Sequence, residues 1–130
     1  MWKDIDLENH IVLLNNSKIL IVVEGKRDKQ ALRNLGIKAP ILTLFPGIYK
    51  IIEEICYEYE NYEVCILTDL DRAGKHLYSR LYSELCNYGI KINNTFREYI
   101  FTSTKVRQIE GLFNYAKRNK LVRGLSFEII

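Results

Sequence analysis

The chain has 130 residues, 48% apolar and 27% charged, with a net charge of +3, which is ordinary for one folded soluble domain with a core of its own. No apolar run is long enough to span a bilayer and no signal-peptide pattern opens the chain, so the cytoplasm is the expected location and no membrane partner is expected. The three cysteines form no CxxC pair and the two histidines lie far apart, so neither a zinc centre nor a disulfide framework is signalled; Cys56, Cys65 and Cys86 are expected to act as small buried apolar residues.

In chain order, Ile11-Val12-Leu13-Leu14 suggests a short helix covering a sheet edge, and Asn15-Asn16-Ser17 marks a turn. Ile19-Leu20-Ile21-Val22-Val23 is a continuous apolar run, the pattern of a strand covered on both faces. It ends in Glu24-Gly25-Lys26-Arg27-Asp28, where Asp28 is either a helix-starting acid or a supporting acid near a site. Ala31, Leu32 and Leu35 have helical spacing, with Gly36 as the stop. Ile41 to Phe45 is a second short strand, closed by Pro46-Gly47, and Ile48, Ile51, Ile52, Ile55 and Tyr59 then share one helix face.

Glu63 to Thr68 reads as the third strand, and Leu77, Leu81, Leu85 and Tyr88 line the next helix up to Gly89. A fourth strand is expected within Ile90–Ile92 and Phe96–Phe101, then a loop or N-cap at Thr102-Ser103-Thr104. Val106, Ile109, Phe113 and Ala116 suggest a last helical segment within about 104–120. The nine tyrosines fall mostly at core spacing and read as packing. Strands alternating with helices predict an α/β fold, three-layer α/β/α, with a four-stranded, largely parallel central sheet.

The chemistry sits in Thr68-Asp69-Leu70-Asp71-Arg72-Ala73-Gly74, where two carboxylates follow an apolar strand and precede a helix. Ligands of open α/β sheets bind outside the carboxyl ends of strands. Close acids repel unless a cation or donor compensates, and an all-oxygen set suits a hard divalent ion. If the first and third strands are neighbours, Glu24 faces Asp69 and Asp71, and the three form a divalent-metal site. Basic residues crowd two segments, Lys26 to Lys38 and Lys105 to Arg123, which suits a phosphate-bearing substrate. Lys26 and Arg72 are placed either to contact phosphate or to make surface salt bridges with the same acids. Arg97 and Glu110 are expected to line the site from the fourth strand and the last helix. An EF-hand starting at Asp69 fails, because it needs acidic ligands where Ala73 and Arg80 stand, and no Walker phosphate loop is present.

"VVEGKRD" and "TDLDRAG", in this order and each after an apolar strand, resemble the two signature blocks of the Toprim domain. DnaG-type primases, type IA and type II topoisomerases, OLD-family nucleases and small nuclease-related proteins share that domain. The resemblance spans about Lys18 to Phe101, and the chain looks like a small stand-alone Toprim protein (1–130). It implies Glu24 as a general acid/base and possible metal ligand, Asp69 and Asp71 as the metal-binding pair, Mg²⁺ (or Mn²⁺) as cofactor, and nucleic acid as partner. The chain by itself lacks a primase zinc-binding domain and a topoisomerase tyrosine domain, so covalent strand passage is not expected of it. Two functions follow: metal-dependent phosphodiester chemistry on RNA or DNA, or a non-catalytic binding module that works with a protein partner or a second copy. A small-molecule phosphohydrolase is a third, more distant reading.

Overall fold

A computed structural model describes residues 5–45 and 47–123, so Pro46 of the Pro46-Gly47 turn lies outside the described residues. The described elements are helix α1 (Leu7–Asn15), strand β1 (Ile19–Val23), helix α2 (Lys26–Asn34), strand β2 (Ile41–Thr43), helix α3 (Ile48–Glu58), strand β3 (Glu63–Leu67), helix α4 (Arg72–Asn87), helix α5 (Thr95–Ser103), a 3-10 turn (Ile109–Gly111) and helix α6 (Leu112–Arg118).

The sheet has the order β2-β1-β3 and is parallel throughout, with Val23 level with both Thr43 and Leu67. β1 is central, and every one of its residues is buried, which is why its sequence shows no polar alternation. Its side chains divide by parity. Ile19, Ile21 and Val23 face α1, α2, α5 and α6 through Leu7, Leu32, Phe96 and Leu112. Leu20 and Val22 face α3 and α4 through Ile51, Ile55, Leu81 and Leu85. The two clusters sandwich the sheet, giving the three layers that the alternating pattern predicts.

Helix boundaries follow local chemistry. The Asp6 carboxylate accepts from the Asn9 N–H to start α1, which packs on a sheet face rather than on an edge. The predicted stops at Gly36 and Gly89 both have positive φ (93° and 76°), a conformation that other residues reach only at a cost. Asn15 ties α1 to the end of α2, donating to the Gly36 carbonyl at 2.9 Å and accepting from the Lys38 N–H at 2.7 Å.

The predicted fourth strand does not form. Ile92 makes a single parallel bridge to Val64, and residues 95–103 are helical. The cause is a change of partner at Asn93. Its backbone N–H still bonds the Val64 carbonyl at 2.8 Å, but its side-chain oxygen accepts from the Thr95 N–H at 3.0 Å and turns the chain into α5. Phe96, Tyr99, Ile100 and Phe101 are strand-prone by composition. Burial instead recurs at Phe96, Arg97, Ile100 and Thr104, a helical period, with Glu98 exposed. Thr102 and Ser103 therefore end a helix, and α6 begins only at Leu112, after the 3-10 turn.

Two packing expectations also need correction. Cys65 is buried, but Cys56 is only half-buried and Cys86 is exposed. Tyr59, Tyr62, Tyr78, Tyr99 and Tyr115 pack against the clusters, whereas Tyr49, Tyr57, Tyr82 and Tyr88 are exposed on α3, α4 and the end of α4.

Candidate functional site

The parallel register sets β1 and β3 level at their carboxyl ends, so Glu24 leaves one strand beside Thr68-Asp69 leaving the other. Glu24 Oε2 accepts from the Asp69 backbone N–H at 2.8 Å. Asp69 Oδ1 accepts from the Ile109 N–H at 2.8 Å, and the Leu70 N–H donates to the Arg107 carbonyl at 2.8 Å. The acidic turn is thus stitched to the 3-10 turn, about forty residues away in sequence. Asp71 caps α4, its Oδ1 accepting from the Gly74 N–H at 2.8 Å. Each of the three carboxylates spends one oxygen on a backbone donor and keeps the other free of hydrogen bonds among the described residues.

Gly74 explains the rest of the block. A Cβ there would come within 2.1 Å of the Asp69 carbonyl oxygen, so only glycine allows the first turn of α4 to close onto the strand end. The buried Thr68 hydroxyl completes the closure by donating to the Gly74 carbonyl at 2.7 Å.

Glu24 and Asp69 open into a hollow of about 630 Å³ together with Asp28, Glu110, Lys26 and Arg27. Asp28 is nearly buried on α2, where its Oδ2 accepts from the Gly25 N–H at 3.1 Å, so it both starts the helix and faces the site. Burial pushes its carboxyl up to about 6, the Gly25 N–H opposes this, and the charges of Asp69, Glu24 and Glu110 add to the rise. Burial likewise raises Glu24, against the Asp69 N–H and Arg97 and with help from Asp69 and Asp71. Asp69 is raised by burial, then by Asp71 and Glu110, against the Ile109 N–H and Arg97. Four acids crowd one cavity, and their mutual repulsion favours a bound cation.

Arg97 does not line this hollow. It lies buried beneath the end of β3 on α5, donating to the carbonyls of Ile66 and Thr68 at 3.1 and 2.7 Å. Its guanidinium stacks between Tyr78 and Phe101, at 4.5 and 5.0 Å from the ring centroids. It is a fixed positive charge under the acids. Glu110 does line the hollow, from the 3-10 turn rather than from α6. Lys26 and Arg72 are exposed, and neither is ion-paired with the acids, since the ion pair found among the described residues joins Lys91 to Glu63. Asp71 stands slightly apart and borders a second hollow with Lys105, Arg107 and Arg118. The tie from Asp69 to Ile109 has no sequence signal, because a backbone N–H is the same whatever residue carries it.

Among the described residues, no three His, Cys, Asp or Glu side chains are grouped closely enough to cage a metal ion. The donors nevertheless suit a hydrated hard cation. Mg²⁺ keeps several waters and takes one or two carboxylates, and Glu24 and Asp69 offer free oxygens into one acidic hollow.

Comparison with known proteins identifies a family whose model, described as "Toprim domain", matches residues 19–102. A UPF0292 protein of Methanocaldococcus jannaschii is 37% identical over 101 residues, 75% of this chain and 78% of that protein. A UPF0292 protein of Pyrococcus furiosus is 38% identical over 108 residues, 82% and 81% of the two chains. A solved structure of a protein from Aquifex aeolicus superposes with a TM-score of 0.71 at 25% identity, covering 81% of this chain and 96% of that one.

Proposed function

This chain belongs to the Toprim domain family, alongside the archaeal UPF0292 proteins, and from that premise we propose that it performs Mg²⁺-dependent phosphodiester chemistry on nucleic acid in the cytoplasm, of the nuclease or nucleotidyl-transfer kind. The observation that carries this reading is the contact of Glu24 with the Asp69 backbone at the ends of adjacent parallel strands, inside a hollow crowded with acids. Family membership supports a metal-binding, nucleic-acid-related role, and the geometry supplies residues for it.

Asp69 would hold the ion through its free oxygen, and the free oxygen of Glu24 would either complete the metal shell or serve as general base. Bound Mg²⁺, or Mn²⁺ in its place, supplies Lewis-acid polarisation of a phosphoryl oxygen and stabilises the charge that develops there. Glu24 is fixed by the Asp69 N–H at Oε2, so in the second of these roles Oε1 is the atom that takes a proton from an attacking water or hydroxyl. Lys26 and Arg72, exposed and unpaired among the described residues, contact substrate phosphates. Arg97 holds the carboxyl end of β3 and tempers the acids from below.

The test is Mg²⁺- or Mn²⁺-dependent cleavage of single-stranded, duplex and structured RNA and DNA. Turnover that is lost in Glu24→Gln and Asp69→Asn supports the enzyme. A second reading, a non-catalytic module that binds metal and nucleic acid within a larger assembly, needs only the acidic hollow and the basic residues beside it, and no general base. Metal binding without turnover on any of these substrates supports the module.

A further inference from the structure

Beside the acidic hollow lies a second one, of about 490 Å³, with the opposite charge. Lys105, Arg107 and Arg118 line it, against one carboxylate, Asp71, and one aromatic ring, Tyr115. The three basic residues are exposed, and none is ion-paired among the described residues. Like charges converging on one concavity repel each other, and an anion seated there relieves the repulsion.

The basic wall is held in place. Arg107 Nη1 donates to the carbonyls of Thr104 and Val106 at 3.3 and 2.8 Å, which anchors the guanidinium to its own loop. That loop is bonded to the acidic turn through Leu70 N–H to the Arg107 carbonyl and Ile109 N–H to Asp69. Arg118 and Tyr115 sit on α6, which the buried Leu112 and Ala116 fasten to the core. The backbone that carries the three cations is therefore tied to the turn that carries Asp69, and Asp71 borders the basic hollow.

We propose that this second hollow grips a single-stranded stretch of nucleic acid: Lys105, Arg107 and Arg118 take backbone phosphates and Tyr115 stacks a base. The inference rests on the nucleic-acid reading above and extends it to the form and path of the strand. The size of the hollow falls within the roughly 300–1,000 Å³ of small-ligand sites, a scale for individual nucleotides rather than for the face of a duplex. A base reaches the Tyr115 ring only when unpaired, because in a duplex its faces are already stacked.

Fluorescence anisotropy tests it, with labelled DNA and RNA strands of about ten nucleotides and the matching duplexes, in EDTA so that no divalent ion takes part. The single strands bind more tightly than the duplexes. Lys105→Gln and Arg118→Gln each weaken binding several-fold and reduce the salt slope by about 0.7, the value for one phosphate contact on a single strand. Tyr115→Leu keeps an apolar side chain against the core and weakens binding by about tenfold with the salt slope unchanged. Lys50→Gln, on α3 in the opposite layer, binds as the parent does. Circular dichroism establishes that each variant is folded. No binding by the parent, indifference to Lys105→Gln and Arg118→Gln, or preference for the duplex overturns the assignment. Cleavage assays on the same proteins keep the two ideas apart. A chain that binds through this hollow but cuts nothing overturns only the catalytic reading. A chain that cuts while Lys105→Gln and Arg118→Gln bind normally overturns only the grip.

Discussion

Asp28 shows what one residue does to the whole energy balance. Its carboxyl titrates at about 6 in the folded chain, against 3.8 for an ordinary aspartate. The folded state therefore binds more protons than the unfolded state between these values, and stability of the metal-free protein rises as pH falls from 7 towards 4. Glu24 and Asp69, also raised, act in the same direction. Urea melts at pH 7 and pH 5 in EDTA are expected to show the more acidic sample as the more stable. Asp28→Asn keeps an oxygen for the Gly25 N–H while removing the charge, so it stabilises the metal-free chain at pH 7 by about 1–3 kcal/mol and flattens the pH response. Equal melts at both pH values would show that the acids are not crowded as described. Gly74 has the opposite sensitivity. Gly74→Ala puts a methyl group into the Asp69 carbonyl and is expected to cost about 3 kcal/mol, the upper end for overpacking, measurable by thermal denaturation.

At the scale of elements, the decisive substitution is a helix where a fourth strand is expected. Asn93 is the switch: it ends the pairing with Val64, caps the Thr95 N–H and donates to Glu63 at 2.9 Å. Asn93→Ala is expected to cost about 1 kcal/mol and to speed amide exchange at Thr95, read by hydrogen-exchange mass spectrometry, while exchange in β1 stays slow. The helix matters to the site, because α5 carries Arg97 under the end of β3, and the loop after α5 leads to the turn that holds Asp69. A strand there would have carried Arg97 in the sheet instead of beneath the acids.

For the whole molecule, a parallel three-stranded sheet between two helical layers brings three acid-bearing segments, 24–28, 69–71 and 109–110, to one edge. A divalent ion that binds only the folded chain should stabilise it, by about 2.7 kcal/mol at 100 times its dissociation constant. Thermal melts with Mg²⁺ or Mn²⁺ are expected to shift upward, and the shift is expected to vanish in Asp69→Asn. A chain whose melting ignores both ions contradicts the metal site. From sequence alone came the apolar β1, β2 and β3, the helix stops at Gly36 and Gly89, and the acids at the ends of β1 and β3, because continuous apolar runs, positive-φ glycines and acids at strand ends each leave a local pattern. The tertiary structure alone decided that β1 and β3 are neighbours, so that Glu24 meets the Asp69 turn, that 95–103 is helical, that Arg97 lies beneath the acids, that Asp28 both starts α2 and faces the acidic hollow, that Glu110 reaches it from the 3-10 turn, and that Asp71 borders a basic one. Those outcomes depend on backbone groups and burial contributed by segments distant in the chain, and neither is written in the identity of neighbouring residues.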